Sequence, residues 1–308
     1  MSGDARAVPV AGPGRSAGLQ WWPAPAKLNL CLHVTGRRAD GYHELQTVFQ
    51  LIDLCDLLSF EVDPSGTVTR VDDEAAAPGP LAAVPPPEDL VVRAARALQS
   101  ASGTSQGARI RVRKRIPMGG GLGGGSSDAA TTLRALDALW GTRVGVDELA
   151  RIGLALGADV PVFVHGRSAV GEGVGERLTP VELPARWFLV IHPGVSVPTG
   201  EVFQAPELRR DTPRLSLPEL IAGPGRNDCE PVVRARVPEV AEALDWLGRH
   251  APARLTGTGA CLFAAFASAA AAERIAARVP DRWRAWVVRG LPAVPEGPVG
   301  GGEARTDP

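Results

Sequence analysis

The sequence predicts an α+β protein folded as two lobes. Strand and helix patterns alternate through both halves with no fixed-period repeat, and a glycine-rich run at residues 119–125 separates one such strand from the helix after it. At 308 residues and 44% hydrophobic content, the chain is long enough to fill two cores. The join is expected near Arg167 to Gly175, giving an N-terminal domain at 19–170 and a C-terminal domain at 171–292. Residues 1–18 and 293–308 are expected to be disordered tails.

Each element has its own signal. From Ala26 to Val34, Leu28, Leu30, Leu32 and Val34 alternate with Lys27, Asn29, Cys31 and His33, the period of a strand. Asp40-Gly41 marks a turn, after which Leu45 to Val62 returns as strand. Gly66 to Val71 suits a short strand, Ala75 to Pro87 a Pro/Ala-rich loop, and Asp89 to Gln99 a helix with Asp89 near its start. Ala108 to Ile116 sets Ile110, Val112, Lys114 and Ile116 against four arginines, again in strand period. Beyond the glycine run, Ser126 and Ser127 can cap a helix from Ser127 to Trp140, and a second helix spans Asp147 to Leu156. Gly157-Ala158-Asp159 then drops an acid between a helix end and the apolar run Val160 to Phe163. Gly171 to Gly175 reads as a tight loop and Trp187 to Ile191 as a strand. The chain ends with a helix over Val237 to Arg249, loop then strand over Leu255 to Phe266, a helix over Ala269 to Arg278 and a strand over Trp283 to Val288.

Composition excludes several classes. A formal net charge of -1 provides no overall field for nucleic acid or an anionic membrane, and neither partner is expected. Cys31, Cys55, Cys229 and Cys261 form no C-x-x-C pair and read as free thiols in a reducing compartment. The five histidines show no ligand spacing, so no metal-ligating residue is assigned. No apolar run approaches the roughly 18 residues of a membrane span, and no signal-peptide core is evident near Met1. A cytoplasmic location is expected. Only Lys27 and Lys114 stand against arginine among the 33 lysines and arginines, which makes each worth checking for amine-specific chemistry.

The run PMGGGLGGGSSDAA, Pro117 to Ala130, is expected to be an anion site. Strand, glycine loop and helix start bring free N–H groups and the positive end of a helix dipole to one place, and missing β-carbons let a phosphate approach the backbone. It is not a Walker A loop, because no lysine lies between Gly119 and Ser127. Its G-x-G-x-x-G spacing is trivially met by six glycines, and no acidic residue follows near a second strand end to hold a ribose. Asp159 reads equally as a catalytic base or as a helix-terminal turn residue.

PAPAKLNLCLHVTGRRADGYHELQTVFQ, PMGGGLGGGSSDAA, GADVPVFVHG, HPGVSVPT and RLTGTGACLFA, in that order, resemble the signature segments of the GHMP small-molecule kinases. The resemblance covers Pro23 to about Phe263, with more glycines between Leu122 and Ser126 than the usual family loop. It implies a two-lobe GHMP kinase fold, an N-terminal ATP-binding α+β domain and a C-terminal ferredoxin-like domain, with both ligands in the cleft between them. It also implies ATP and Mg2+, phosphoryl transfer to an alcohol, and, within the superfamily, the branch whose acceptor is diphosphocytidyl methylerythritol. By resemblance, Asp159 is the base and Lys27 its partner. Pro117, Met118, Gly119, Gly120, Gly121, Leu122, Gly123, Gly124, Gly125, Ser126, Ser127, Thr256 and Gly257 would bind the nucleotide. Asn29, Tyr42, His43, Thr199 and Phe203 would bind the acceptor, with Tyr42 and Phe203 sandwiching a cytosine whose edge His43 reads. A monomer or weak homodimer is expected.

Overall fold

A computed structural model describes residues 19–71, 84–223, 225–295 and 297–299. The greater part of the expected loop at Ala75–Pro87, and the expected tails at 1–18 and 300–308, lie outside the described residues.

The N-terminal lobe grows from one long antiparallel hairpin, β1 (Trp22–Arg37) and β2 (His43–Asp63), with the Asp40-Gly41 turn at its tip. β2 is the hub. Its second half pairs antiparallel with β4 (Gly107–Arg113), which takes β3 (Val68–Arg70) in parallel. Its first half pairs with β5 (Ala169–Gly173), which carries β6 (Arg177–Pro180). Helices α1 (Leu90–Ser102), α2 (Gly124–Trp140), α3 (Val146–Leu154) and α4 (Val160–His165) supply the other half of this core, where Leu51, Leu58, Leu98, Ile110, Leu133 and Leu136 are completely buried. Local chemistry explains α1. The Asp89 carboxylate accepts from the Val91 amide at 3.0 Å, Val91, Val92, Ala94, Ala95 and Leu98 face the core, and left-handed Gly103 ends the helix.

The C-terminal lobe contains β7 (Trp187–His192), α5 (Thr199–Gln204), α6 (Leu217–Ala222), α7 (Glu230–Arg236), α8 (Pro238–Gly248), β8 (Ala253–Leu255), β9 (Leu262–Phe266), α9 (Ala269–Ala276) and β10 (Arg284–Leu291). Its strands pair antiparallel in the order β10-β7-β9-β8, with helices between β7 and β8 and again between β9 and β10. That is the ferredoxin-like arrangement. The lobes share one sheet path, because Gly290 and Leu291 at the end of β10 pair with Ile52 and Leu51 of β2. Ala26, Leu28, Ile52, Leu122, Phe188, Val190 and Phe263 form the apolar cluster at this join.

Three expectations are corrected. The boundary expected between 170 and 171 falls inside β5, and Gly171 to Gly173, read as loop, pair with Thr47, Gln46 and Leu45 of β2. The N-terminal sheet therefore continues to Pro180, through a cross-strand pairing that local pattern does not encode. Residues 293–295 and 297–299 are not a free tail. Val294 is buried in the N-terminal core and donates its amide to Gly166 O at 2.8 Å, and Val299 bridges to Trp21. Finally, the helix after the glycine run starts at Gly124 rather than Ser127, with left-handed Gly123 as its N-cap and no serine capping it. Glycine accepts φ of +72° without steric cost, so the turn into the helix occurs earlier.

Lys114 leaves strand period after Arg113 and turns inward. Its ammonium donates to Asp56 and, at 2.7 Å, to Asp128, and all three side chains are buried. Asp56 also accepts from the Arg115 and Ile116 amides at 2.6 and 2.9 Å. Burial opposes the Lys114 charge, but the Asp128 and Asp56 carboxylates outweigh it and its pKa rises. Burial and the charge of Asp56 push the Asp128 carboxyl up, although Lys114 opposes the shift. This triad ties β2, the end of β4 and α2 together beneath the glycine loop. Lys114→Met is expected to cost about 3–5 kcal/mol in urea unfolding, since it strands buried carboxylates. Adding Asp128→Asn should recover part of the loss; a double variant with no recovery would mean the stranded charge is not the cause.

Candidate active site

Three segments meet around the glycine loop. β1 holds one flank, where the Lys27 amide donates to Leu122 O at 3.0 Å. The turn between β8 and β9 holds the other, where the Cys261 amide donates to Gly120 O at 3.1 Å. Asn29 N donates to Thr256 Oγ1 at 3.0 Å, joining the flanks to each other, and Asn227 Nδ2 fastens the turn through Leu255 O and Gly257 O. No side chain fits between loop and turn: a β-carbon on Gly121, already at φ +74°, would lie 2.3 Å from Thr256 O. One on Gly123 would lie 3.0 Å from the Phe163 ring and 3.2 Å from Lys27 Cε.

Above the loop is a cavity of about 370 Å³, lined by Pro117 to Ser126 with Val84, Leu90, Lys114 and Asp128. The amides of Gly124, Gly125 and Ser126 begin α2 and have no acceptor within it, because Ser127 N is the first to bond back, to Gly123 O at 2.9 Å. Left-handed Gly119, Gly121 and Gly123 alternate with ordinary residues, the backbone pattern of an anion-binding concavity. Thr256, Gly257 and Ser127 do not line this cavity. Thr256 and Ser127 are completely buried, and the Thr256 hydroxyl is occupied by Asn29. Ser127 Oγ and Asp128 Oδ1 are buried without a hydrogen-bond partner.

Lys27 is 3% exposed, on the strand face expected to be polar. Its ammonium has three protons and three oxygen partners: Asn29 Oδ1 at 2.6 Å, Gly121 O at 3.0 Å and Asp159 Oδ2 at 3.2 Å. The Phe49 ring lies beneath, 5.7 Å from Nζ. Asn29 completes its own set by donating to Thr47 Oγ1 at 2.8 Å. Asp159 is the N-cap residue of α4, yet its carboxylate makes no capping bond. With its side chain 32% exposed and paired to Lys27, it is a partly open acceptor beside the glycine loop rather than a helix cap.

A second constellation lies at the hairpin tip and α5. Tyr42 is 63% exposed, with its amide donating to Asp40 Oδ1 at 3.0 Å, and no aromatic partner among the described residues. His43, at the start of β2, stacks on Phe203 of α5 with centroids 5.1 Å apart and planes at 27°. Burial, then the charges of Arg210 and Arg37, lower the His43 pKa. Thr199 Oγ1 lies 2.8 Å from Thr258 Oγ1, linking α5 to the turn beside the glycine loop. The residues missed by sequence reading are those that hold others in place: Asn227, Thr47, Asp128 and Arg210. Only their partners reveal them.

A glycine-lined cavity beside a lysine-paired carboxylate, joined to an α+β lobe and a ferredoxin-like lobe, is an arrangement suited to a small-molecule kinase. Residues 89–167 match the GHMP kinases N terminal domain and residues 209–285 the GHMP kinases C terminal domain. A 4-diphosphocytidyl-2-C-methyl-D-erythritol kinase of Alkalilimnicola ehrlichii is 57% identical over 270 residues, 88% of this chain and 90% of that protein. One of Ectopseudomonas mendocina is 58% identical over 268 residues, 87% and 90% of the two chains. Among solved structures, a 4-(cytidine 5'-diphospho)-2C-methyl-D-erythritol kinase superposes with a TM-score of 0.75 at 35% identity, covering 88% of this chain and 99% of that one. The mevalonate kinase of Methanococcus jannaschii, at 15% identity and a TM-score of 0.67, shares the fold. The chain belongs to the GHMP kinases, ATP-dependent phosphotransferases, and within them to the family of these diphosphocytidyl methylerythritol kinases.

Gly121→Ala is expected to weaken ATP binding at least tenfold, because the new methyl must push the loop away from Thr256 and at the same time adopt a left-handed φ. Titration calorimetry with ATP checks this, and an unchanged affinity would free the loop of the constraint.

Proposed function

We propose that this protein transfers the γ-phosphoryl group of ATP to the 2-hydroxyl of 4-diphosphocytidyl-2-C-methyl-D-erythritol. The observation that carries the reading is the Lys27–Asp159 pair at 3.2 Å, one bond removed from the phosphate loop through Gly121 O.

Phosphoryl transfer requires alignment and charge stabilisation more than covalent help from the protein. The free amides at 124–126 hold phosphate oxygens. Asp159 accepts the hydrogen bond, and then the proton, of the attacking hydroxyl. Lys27 fixes the direction of that carboxylate, and because the same ammonium binds Gly121 O, base and phosphate cradle keep one spacing. Asn29, held by Lys27 and Thr47, stands where the acceptor's hydroxyls would be oriented.

Serine oxygens suit a hard divalent cation, and Ser126 on the cavity wall would hold Mg2+. Bound there, the ion supplies positive charge to the phosphate oxygens. The exposed Tyr42 ring offers a stacking surface for a pyrimidine, and Phe203, with one face covered by the His43 ring, would offer only its other face. An exposed aromatic surface there favours a cytidyl acceptor over the base-free acceptors of mevalonate and homoserine kinases. We further propose action in the cytoplasm, supported by four cysteines that form no disulfide.

In an ATP-consumption assay over a panel of alcohols, the diphosphocytidyl substrate should be the preferred acceptor. Asp159→Asn should lower turnover by about 10²–10⁴-fold with ATP affinity nearly intact; wild-type speed would remove Asp159 from the mechanism. Tyr42→Ala should raise KM for the cytidyl substrate far more than for ATP, and equal rises would put the ring elsewhere.

A further inference from the structure

The hairpin of β1 and β2 loses its register beside the active site. Asn29 pairs with Phe49 and Leu32 with Thr47, so β1 advances three residues where β2 advances two. The extra residue makes a β-bulge, where ladder pairing is locally broken. Side chains meet the carbonyls there. Leu30 O accepts from Arg254 Nη1 at 3.2 Å, and Cys31 O accepts from Thr47 Oγ1 at 2.6 Å. Thr47 is 1% exposed, so water does not compete for its hydroxyl.

From the Cys31 carbonyl a chain of hydrogen bonds runs to Asp159, and each direction in it is fixed by the one before. A carbonyl oxygen only accepts, so the single Thr47 hydroxyl proton is committed to Cys31 O and its lone pairs are left for Asn29. The Asn29 group that meets Thr47 must therefore be its NH2, which donates to Thr47 Oγ1 at 2.8 Å. Asn29 Oδ1 is then on the other side, where it accepts from Lys27 Nζ at 2.6 Å. Gly121 O takes a second lysine proton at 3.0 Å, and the third is left for Asp159 at 3.2 Å. An Asn29 amide rotated by half a turn would set NH2 against the ammonium, donor against donor. The bond from Asn29 N to Thr256 Oγ1 holds only the main chain, and Thr47 is the one partner of Asn29 Nδ2 among the described residues. Thr47 therefore chooses the face that the amide shows to Lys27.

We infer that Thr47 is a positioning residue for phosphoryl transfer: anchored on the bulge carbonyl of Cys31, it selects the Asn29 orientation that leaves a Lys27 proton for Asp159. The inference rests on the reading of Lys27 and Asp159 as the catalytic pair. It also accounts for asparagine at 29. An aspartate there would attract Lys27 more strongly, but it has no proton to give a hydroxyl that is already donating elsewhere, and it would compete with Asp159 for the ammonium.

The test joins a spectroscopic and a kinetic readout on the full chain. In wild type, proton NMR contacts of the Asn29 side-chain NH2 should run to the Thr47 methyl and not to the Lys27 ε-methylene. Thr47→Val keeps the shape and removes the hydroxyl. It should lower kcat by about tenfold, the scale of one hydrogen bond lost, with KM for ATP unchanged. Thr47→Ser, which restores the hydroxyl, should recover most of that loss. In an Asn29→Ala background Thr47→Val should cost nothing further, because its effect passes through Asn29, whereas a general loosening of the strand would cost the same in either background. NH2 contacts to Lys27 in wild type overturn the inference, as do full speed in Thr47→Val, no recovery in Thr47→Ser, or an undiminished loss beside Asn29→Ala. If Thr47→Val does not fold, the wild-type amide measurement and Thr47→Ser still decide. If Asp159→Asn runs at wild-type speed the catalytic reading fails instead, while the amide measurement shows separately whether Thr47 orients Asn29.

Discussion

The architecture of the site depends on a place where no side chain fits. Between Gly121 and the turn at 256–261 the two backbones approach until a β-carbon would overlap a carbonyl oxygen. That contact brings the C-terminal lobe against the phosphate loop and β1 against both, through Cys261 N to Gly120 O, Lys27 N to Leu122 O and Asn29 N to Thr256 Oγ1. Residues far apart in sequence thereby acquire fixed spacings, which positioning catalysis requires. The glycines do double service. Their left-handed φ values give the loop the backbone pattern of an anion-binding concavity, and their missing side chains admit the neighbouring backbone.

Legibility followed the range of the interactions. β1, β4, α1 and α9 are local patterns, and their expected limits differ from the observed ones by a few residues at most ends. The strand–glycine–helix order is likewise a local pattern, and β4, the glycine loop and α2 follow one another as that order implies. β5 was read as loop because Gly171 and Gly173 are poor strand formers, and only pairing with β2 makes them strand. Val294 looked like tail because its burial depends on a pocket formed by the distant N-terminal lobe. At the site, Asp159 was ambiguous by local sequence, since an acid at a helix start is usually a cap. The distinction came from a missing capping bond and the presence of Lys27, both properties of the assembled molecule. Arg210 had no local signature at all, being one arginine among many until three carbonyls and a histidine surround it.

The scarcity of lysine acquires a physical meaning in this light. Both lysines lie beside the glycine loop, one on each side, and each joins groups from different segments: Lys27 binds Asn29, Gly121 and Asp159, and Lys114 binds Asp56 and Asp128. An ammonium offers three donors spread in three directions from one atom, so it can stand at the centre of a tripod. A guanidinium offers its donors in one plane at the edges of a wider group, which suits the row of α5 carbonyls that Arg210 serves but not a tight junction of three chains. Gly123 belongs to the same junction, since a β-carbon there would lie 3.2 Å from Lys27 Cε. The two lysines thus mark junctions beside the glycine loop, where a single ammonium meets oxygens from separate segments of the chain.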